Sequence, residues 1–157
     1  AKIDHIHTAG NSPAMSDAAS ITLLSSSKNS ASFKYKARGK IKAVAVVNDN
    51  PLFVLSGCIE ATKQLMKNEN LSIKDVDIFE IHEAFASTII YAQRELEIPD
   101  DKLNVNGGCI ALGHPMGATG SIMLSSLLDE MERRDLTLGV ISTSGAAGAG
   151  TAVLIER

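Results

Sequence analysis

Two histidines and one run of small residues are the places where this sequence could do chemistry. His82 opens the segment His82-Glu83-Ala84-Phe85, where an apolar run gives way to a helical pattern. His114 stands between Gly113 and Pro115, in a turn that leads into a helix start. Glycine lets backbone approach a ligand closely, and the positive end of a helix favours a neutral imidazole or a nearby anion. A neutral imidazole can serve as a base or donate a hydrogen bond to a developing oxyanion. The third segment runs from Ser142-Thr143-Ser144 through Gly145-Ala146-Ala147-Gly148-Ala149-Gly150. Its loop holds only Gly and Ala, so backbone N–H groups alone can act there, and they suit an oxyanion hole. Each feature also has a plainer reading: a satisfied turn histidine at 114, a cap or packing residue at 82, and a flexible hairpin bend at 145–150. Two histidines at the ends of adjacent strands would gain meaning by converging on one pocket.

Other candidates are weaker. His5 and His7 lack a companion set of zinc-ligand type, so no metal site is expected. The glycine-rich stretch Gly107–Gly120 lacks the Gly-Lys-Ser/Thr ending of a triphosphate loop. Cys58 reads as a small core residue. Cys109 follows two glycines and could approach the pocket, although burial is the expectation.

The elements that must position these residues follow from pattern. Ile41–Val47 is β-branched and apolar, as in a strand buried on both faces. Ile59–Lys67 has helical spacing, Val76–Ile81 reads as a second strand, and Glu83–Glu97 as a helix stopped by Pro99. Leu103–Val105 is expected to be a short third strand, and Ser121–Arg134 an amphipathic helix ending in two arginines that suit its negative end. Gly139–Ser144 and Thr151–Glu156 are joined by a connection short enough for an antiparallel hairpin. Upstream, residues 1–15 read as irregular, Ala18–Leu24 as a buried strand, and Ser25–Ser32 as a linker. The order βαβαβαββ implies an α/β layered domain: a mixed five-stranded sheet with helices on both faces.

Bulk properties narrow the function. A net charge of -3 argues against a nucleic-acid surface. The basic run Lys34, Lys36, Arg38, Lys40, Lys42 reads as a solvated strand face or linker, or as a patch near the phosphates of an anionic substrate. Two cysteines are too few for a disulfide framework and fit a reducing compartment. No apolar run reaches membrane-spanning length, and the polar N-terminus does not read as a signal peptide. The expected location is cytoplasmic, with the mitochondrial matrix or peroxisome as eukaryotic options. Because it begins without Met, the chain is expected to start inside a longer gene product.

Taken together, the segments resemble a known family. Asn104-Val105-Asn106-Gly107-Gly108-Cys109-Ile110-Ala111-Leu112-Gly113-His114-Pro115-Met116-Gly117-Ala118-Thr119-Gly120 resembles the histidine motif of thiolases, and His82-Glu83-Ala84-Phe85 their Asn/His-Glu-Ala-Phe motif. Thr8-Ala9-Gly10-Asn11 with Ser16-Asp17-Ala18-Ala19 resembles the close of their N-terminal half, and the Gly/Ala loop with Ile155-Glu156-Arg157 their C-terminal end. The resemblance implies the layered thiolase fold, with residues 1–30 as the tail of an N-terminal half and 31–157 as the C-terminal domain. It implies acyl transfer between CoA thiols with making or breaking of a carbon–carbon bond. The substrates would be acyl-CoA and CoA, with no cofactor beyond the thioester itself. A cysteine from the N-terminal half would be the nucleophile, and the protein a homo-oligomer that binds neither nucleic acid nor membrane.

By the same resemblance His114 activates that cysteine and His82 positions a water or the thioester oxygen. Ser144 occupies the place of a second, proton-moving cysteine. The Ala146 and Gly148 amides face the oxyanion, and Ser12, Phe85 and Gly113 contact substrate. The sequence departs from the family at Ser144, at Ala146 and Ala147 in place of a Gly pair, and at Pro13 in place of a CoA-contacting Ser. A hydroxyl is a far weaker acid–base group than a thiol near neutral pH, so two alternatives stay open. One is a catalytically degenerate acyl-CoA-binding protein. The other is a condensing enzyme with a Cys–His–His arrangement like that of ketosynthases.

Overall fold

The computed structural model describes residues 4–157. The strands are β1 (Lys40–Asn48), β2 (Ile78–Ile81), β3 (Leu138–Ser144) and β4 (Ala149–Glu156). The helices are α1 (Ser27–Ser30), α2 (Gly57–Glu69), α3 (Ala86–Leu96), α4 (Cys109–Leu112) and α5 (Thr119–Arg134). The sheet order is β1-β4-β3-β2, with β2 parallel to β3 and the other pairs antiparallel. The expected hairpin of the last two strands and the mixed sheet are both present.

The sheet has four strands where five were expected. Leu103 makes only an isolated bridge to Phe79. The physical reason lies in Asn104, which adopts a left-handed φ of 44° and turns the chain away. Its side chain then does what a strand backbone would have done. The amide oxygen accepts from the Ile81 N–H at 2.7 Å, and the amide nitrogen donates to the Ile81 carbonyl at 2.8 Å.

Two apolar layers sandwich the sheet. Phe79 and Ile81 of β2 join Ile59 and Leu65 of α2 and Ala92 and Leu96 of α3 on one face. Ile78 joins Met123, Leu127 and Met131 of α5 with Ile141 and Ile155 on the other. Every residue of β2 is buried, as a strand covered by helices on both faces must be. Truncating a side chain such as Leu65 or Leu127 to Ala would cost about 2–5 kcal/mol. At Gly57 and Gly150 the start of α2 crosses β4 so closely that neither position has room for a Cβ.

Two further expectations shift. The helix read from Glu83 starts three residues later, at Ala86, because the backbone first turns, with the Ala84 N–H bonded back to the His82 carbonyl and Phe85 extended as the N-cap. The strand expected at Ala18–Leu24 has no regular structure, and Ile21 is 94% exposed. An apolar run signals burial without supplying a ladder partner, and no described residue pairs with it. The Ser25–Ser32 linker contains the one-turn helix α1. Residues 4–15 are largely irregular; the first three residues of that expectation lie outside the described residues.

Candidate active site

His82 sits one residue past β2, its N–H donating to the Ser142 carbonyl at 2.9 Å so that the parallel pairing runs on to the histidine. The chain then turns sharply, with the Ala84 N–H bonded to the His82 carbonyl at 2.9 Å. His114 arrives from the loop between α4 and α5. Gly113 takes a φ of 92°, and a Cβ there would stand 2.5 Å from the Ser16 hydroxyl. That close approach lets the N-terminal segment lie against the loop, where the His114 N–H donates to the Ala14 carbonyl at 2.8 Å.

The two imidazoles meet. Their ring centroids are 4.5 Å apart with planes inclined by 44°. Thr119, the first residue of α5, holds His114 from behind, Oγ1 to Nδ1 at 2.8 Å. His82 is only 8% exposed. Burial, and then the neighbouring His114, push its pKa down to about 4, so the ring is neutral at physiological pH. Its Nε2 is buried without a partner. A neutral ring with a free, buried polar atom can donate to an oxyanion or orient a water.

Glu83 braces this arrangement. Its carboxylate accepts from the Asn104 side chain at 3.2 Å and from the Ile110 N–H at 3.0 Å, fixing α4, which Cys109 opens. Cys109 is buried, and its thiol donates to the Glu83 carbonyl at 3.1 Å. Burial, with Glu83 nearby, pushes this thiol up to about 11, so it is no nucleophile at neutral pH. It nevertheless lies beside the histidines: donor atoms of His82, Cys109 and His114 all fall within 4.8 Å of one another.

Ser144 is engaged elsewhere. Its hydroxyl accepts the Cys58 N–H at 2.9 Å and donates to the Leu55 carbonyl at 2.8 Å. It therefore serves the first turn of α2, where backbone donors have no helical partner. The Gly/Ala loop is a short 3₁₀ turn at Ala146–Gly148, with Ala147 at a left-handed φ of 59°. The Gly148 N–H is donated to the Val54 carbonyl at 3.0 Å, so this expected oxyanion donor is already paired. The Ala146 N–H finds no backbone acceptor among the described residues.

The expected substrate-contacting residues are spread along one seam. The Ser12 hydroxyl donates to the Asn11 side chain at 3.3 Å. The Asn11 carbonyl accepts the Ala86 N–H at 3.0 Å, tying the N-terminal segment to the residues after His82. Phe85 packs its ring 4.4 Å from that of His7. Ser12, Phe85, Gly113 and His114 thus border the same N-terminal segment.

Glu80, Asn104 and Thr119 were not singled out by sequence reasoning. Glu80 lines a cavity of about 120 Å³ together with Cys109, Gly113 and Thr119. It is 2% exposed with one carboxyl oxygen unpartnered. Burial first, then Glu83 and Glu130, push its pKa up to about 8. The available signal was strand alternation, since Glu80 and His82 share a face. A larger hollow of about 410 Å³ lies beside Lys63, Leu71 and Glu97, and neither histidine lines either cavity.

A mixed α/β sheet between helices, with one histidine just past the edge strand β2 and a second on a glycine-rich loop, defines the C-terminal domain type of the thiolases. Residues 35–157 match the family model described as "Thiolase, C-terminal domain", and the chain belongs to that family. It is 42% identical over 153 residues to a 3-ketoacyl-CoA thiolase of Serratia proteamaculans, covering 96% of this chain and 40% of that protein. It is 40% identical over 153 residues, with the same coverage, to a 3-ketoacyl-CoA thiolase of Pectobacterium carotovorum. The crystal structure of the Bacillus anthracis acetyl-CoA acetyltransferase superposes with a TM-score of 0.88 at 32% identity, over 95% of this chain and 38% of that one. The chain therefore spans about 40% of the length of these curated relatives. No helix among the described residues is long and apolar enough to cross a membrane.

Proposed function

We propose that this chain supplies the histidine side of a thiolase-type acyl-CoA acyltransferase and works with an N-terminal half that brings the acyl-accepting cysteine. The observation that carries the reading is the imidazole pair at a 4.5 Å ring separation, with His82 buried and His114 half-buried. His114, held by Thr119, takes the proton of the incoming thiol. The thiolate attacks the keto carbon of a 3-ketoacyl-CoA, the bond between the α and β carbons breaks, and acetyl-CoA leaves after protonation. The thiol of free CoA then takes the acyl group from the cysteine. His82, neutral and with Nε2 free, donates to the thioester oxygen or orients the water beside it, with the open Ala146 amide as a second donor. The CoA thioester is substrate, and the reaction needs no other cofactor.

The N-terminal half is proposed to include residues 1–30 and the C-terminal domain to run from 31 to 157. Exposed apolar residues support such a partner: Ile21, Leu23 and Leu24 on the N-terminal segment and Val44 and Val46 on the free face of β1. A homo-oligomer of the complete protein and a cytoplasmic location belong to the same reading. So does substrate contact by Ser12, Phe85 and Gly113.

Ser144 favours a second reading. Its hydroxyl is spent on the Leu55 carbonyl and the Cys58 N–H, which leaves α-proton removal without an obvious base. A condensing enzyme using both histidines, or a protein that only binds acyl-CoA, would have that property. Incubating the complete protein with acetoacetyl-CoA and CoA separates the cases. Acetyl-CoA production, lost on replacing His114 with Ala, is the expected result. Its absence with an intact nucleophile overturns the acyltransferase reading, and carbon dioxide release from a malonyl thioester would identify the condensing one.

A further inference from the structure

We propose that His82, Cys109 and His114 form a binding site for a zinc-class divalent cation. The three side chains come from the end of β2, the start of α4 and the loop before α5, and they offer donor atoms within 4.8 Å of one another. Zinc bonds of about 2.0–2.3 Å to nitrogen and sulfur place neighbouring ligands roughly 3.5 Å apart. Small rotations of the rings and the thiol therefore close the cluster. His82 and Cys109 are buried and His114 half-buried, so the ligands are preorganised by packing.

Two independent features point to a cation. The first is the His82 Nε2, a buried polar atom with no partner. Such an atom costs free energy unless something satisfies it, and a metal lone-pair bond does. The second is Thr119, whose hydroxyl meets His114 Nδ1 at 2.8 Å and leaves Nε2 to ligate. Pairing of the non-ligating ring nitrogen is what orients histidines in metal sites. Two imidazoles and a thiol make a borderline-soft set that selects zinc or cobalt over magnesium or calcium. Three protein ligands leave the fourth tetrahedral position to water, which suits a removable ion. On binding, the sulfur–metal bond forms as the thiol proton passes to solvent. The proposal is separate from the acyl-transfer reading, since it needs only these three side chains.

Cobalt(II) titration of this chain tests it, with far-UV circular dichroism confirming the fold of each variant. One equivalent should bind with thiolate-to-cobalt charge-transfer absorption, and zinc should bleach it. Cys109→Ser should abolish the band, Cys58→Ser should leave it, and Thr119→Val should weaken binding by about 10–100-fold. A variant-free measurement accompanies these: metal addition near pH 8 should release about one proton per ion. Binding without the band, a band that follows Cys58, or metal uptake with no proton release would each overturn the site.

Discussion

Glu80 and His82 stand two residues apart on one face of a strand and carry opposite charge penalties. Burial raises the Glu80 carboxyl from 4.5 to about 8 and lowers the His82 imidazole from 6.5 to about 4. A raised folded-state pKa gives stability that is full below pH 4.5 and lost as pH climbs through about 8. A lowered one gives stability that is present above 6.5 and lost as pH falls through about 4. Between 4.5 and 6.5 the two slopes cancel, one proton against one. From 6.5 to about 8 only Glu80 contributes, and unfolding free energy should drop by roughly 1.4 kcal/mol per pH unit at most. Denaturation across that interval checks this. Glu80→Gln, which cannot ionise, should flatten the alkaline decline, and an unaltered slope would show that Glu80 is already charged in the folded protein.

The elements are held by side chains that stand in for backbone. Asn104 replaces the outer strand by pairing both polar groups of Ile81. Replacing it with Ala leaves an N–H and a carbonyl unpaired beside a buried strand, at about 1–3 kcal/mol for each unsatisfied group. Chemical denaturation should register that loss, and a midpoint unchanged by Asn104→Ala would mean that water takes over both bonds. Ser144 does the same for α2 through Leu55 and Cys58. Ser144→Ala should destabilise by about 1–3 kcal/mol through the same loss. Ser144→Cys, with a weaker donor and acceptor, should fall between, and its effect on turnover of the complete protein separates a stabilising role from a chemical one. If both variants match the parent in stability, the hydroxyl does not anchor the helix.

At the scale of the molecule, apolar surface is distributed unevenly. The α2 and α5 sides of the sheet are packed, yet Val46 is 74% and Val44 54% exposed on β1, and Ile21 and Leu23 are exposed on the N-terminal segment. Scattered apolar residues are ordinary, but groups of them mark interaction surfaces. The chain alone should therefore self-associate, seen as a concentration-dependent sedimentation coefficient. Val44→Lys with Val46→Lys should move it toward monomer with little effect on the midpoint of unfolding. A monomer at all concentrations would remove this support for a covering half.

Much of this molecule was legible in the chain itself. Apolar β-branched runs placed the strands and helical spacing placed α2 and α5, although β1, expected to be buried on both faces, leaves Val44 and Val46 exposed. The motifs around His114 and at His82 carry the family's signature in the chain itself. Packing alone decided how far apart the rings stand, that Asn104 turns away from the sheet, and that the Ser144 hydroxyl faces Leu55 and Cys58. It also decided that Cys109 joins the histidines and that Glu80 is kept neutral under α5. These are outcomes of which residues distant in sequence share a volume, and a local pattern holds no record of that. Charge states follow the same rule, since desolvation belongs to the surroundings of a group and not to the group.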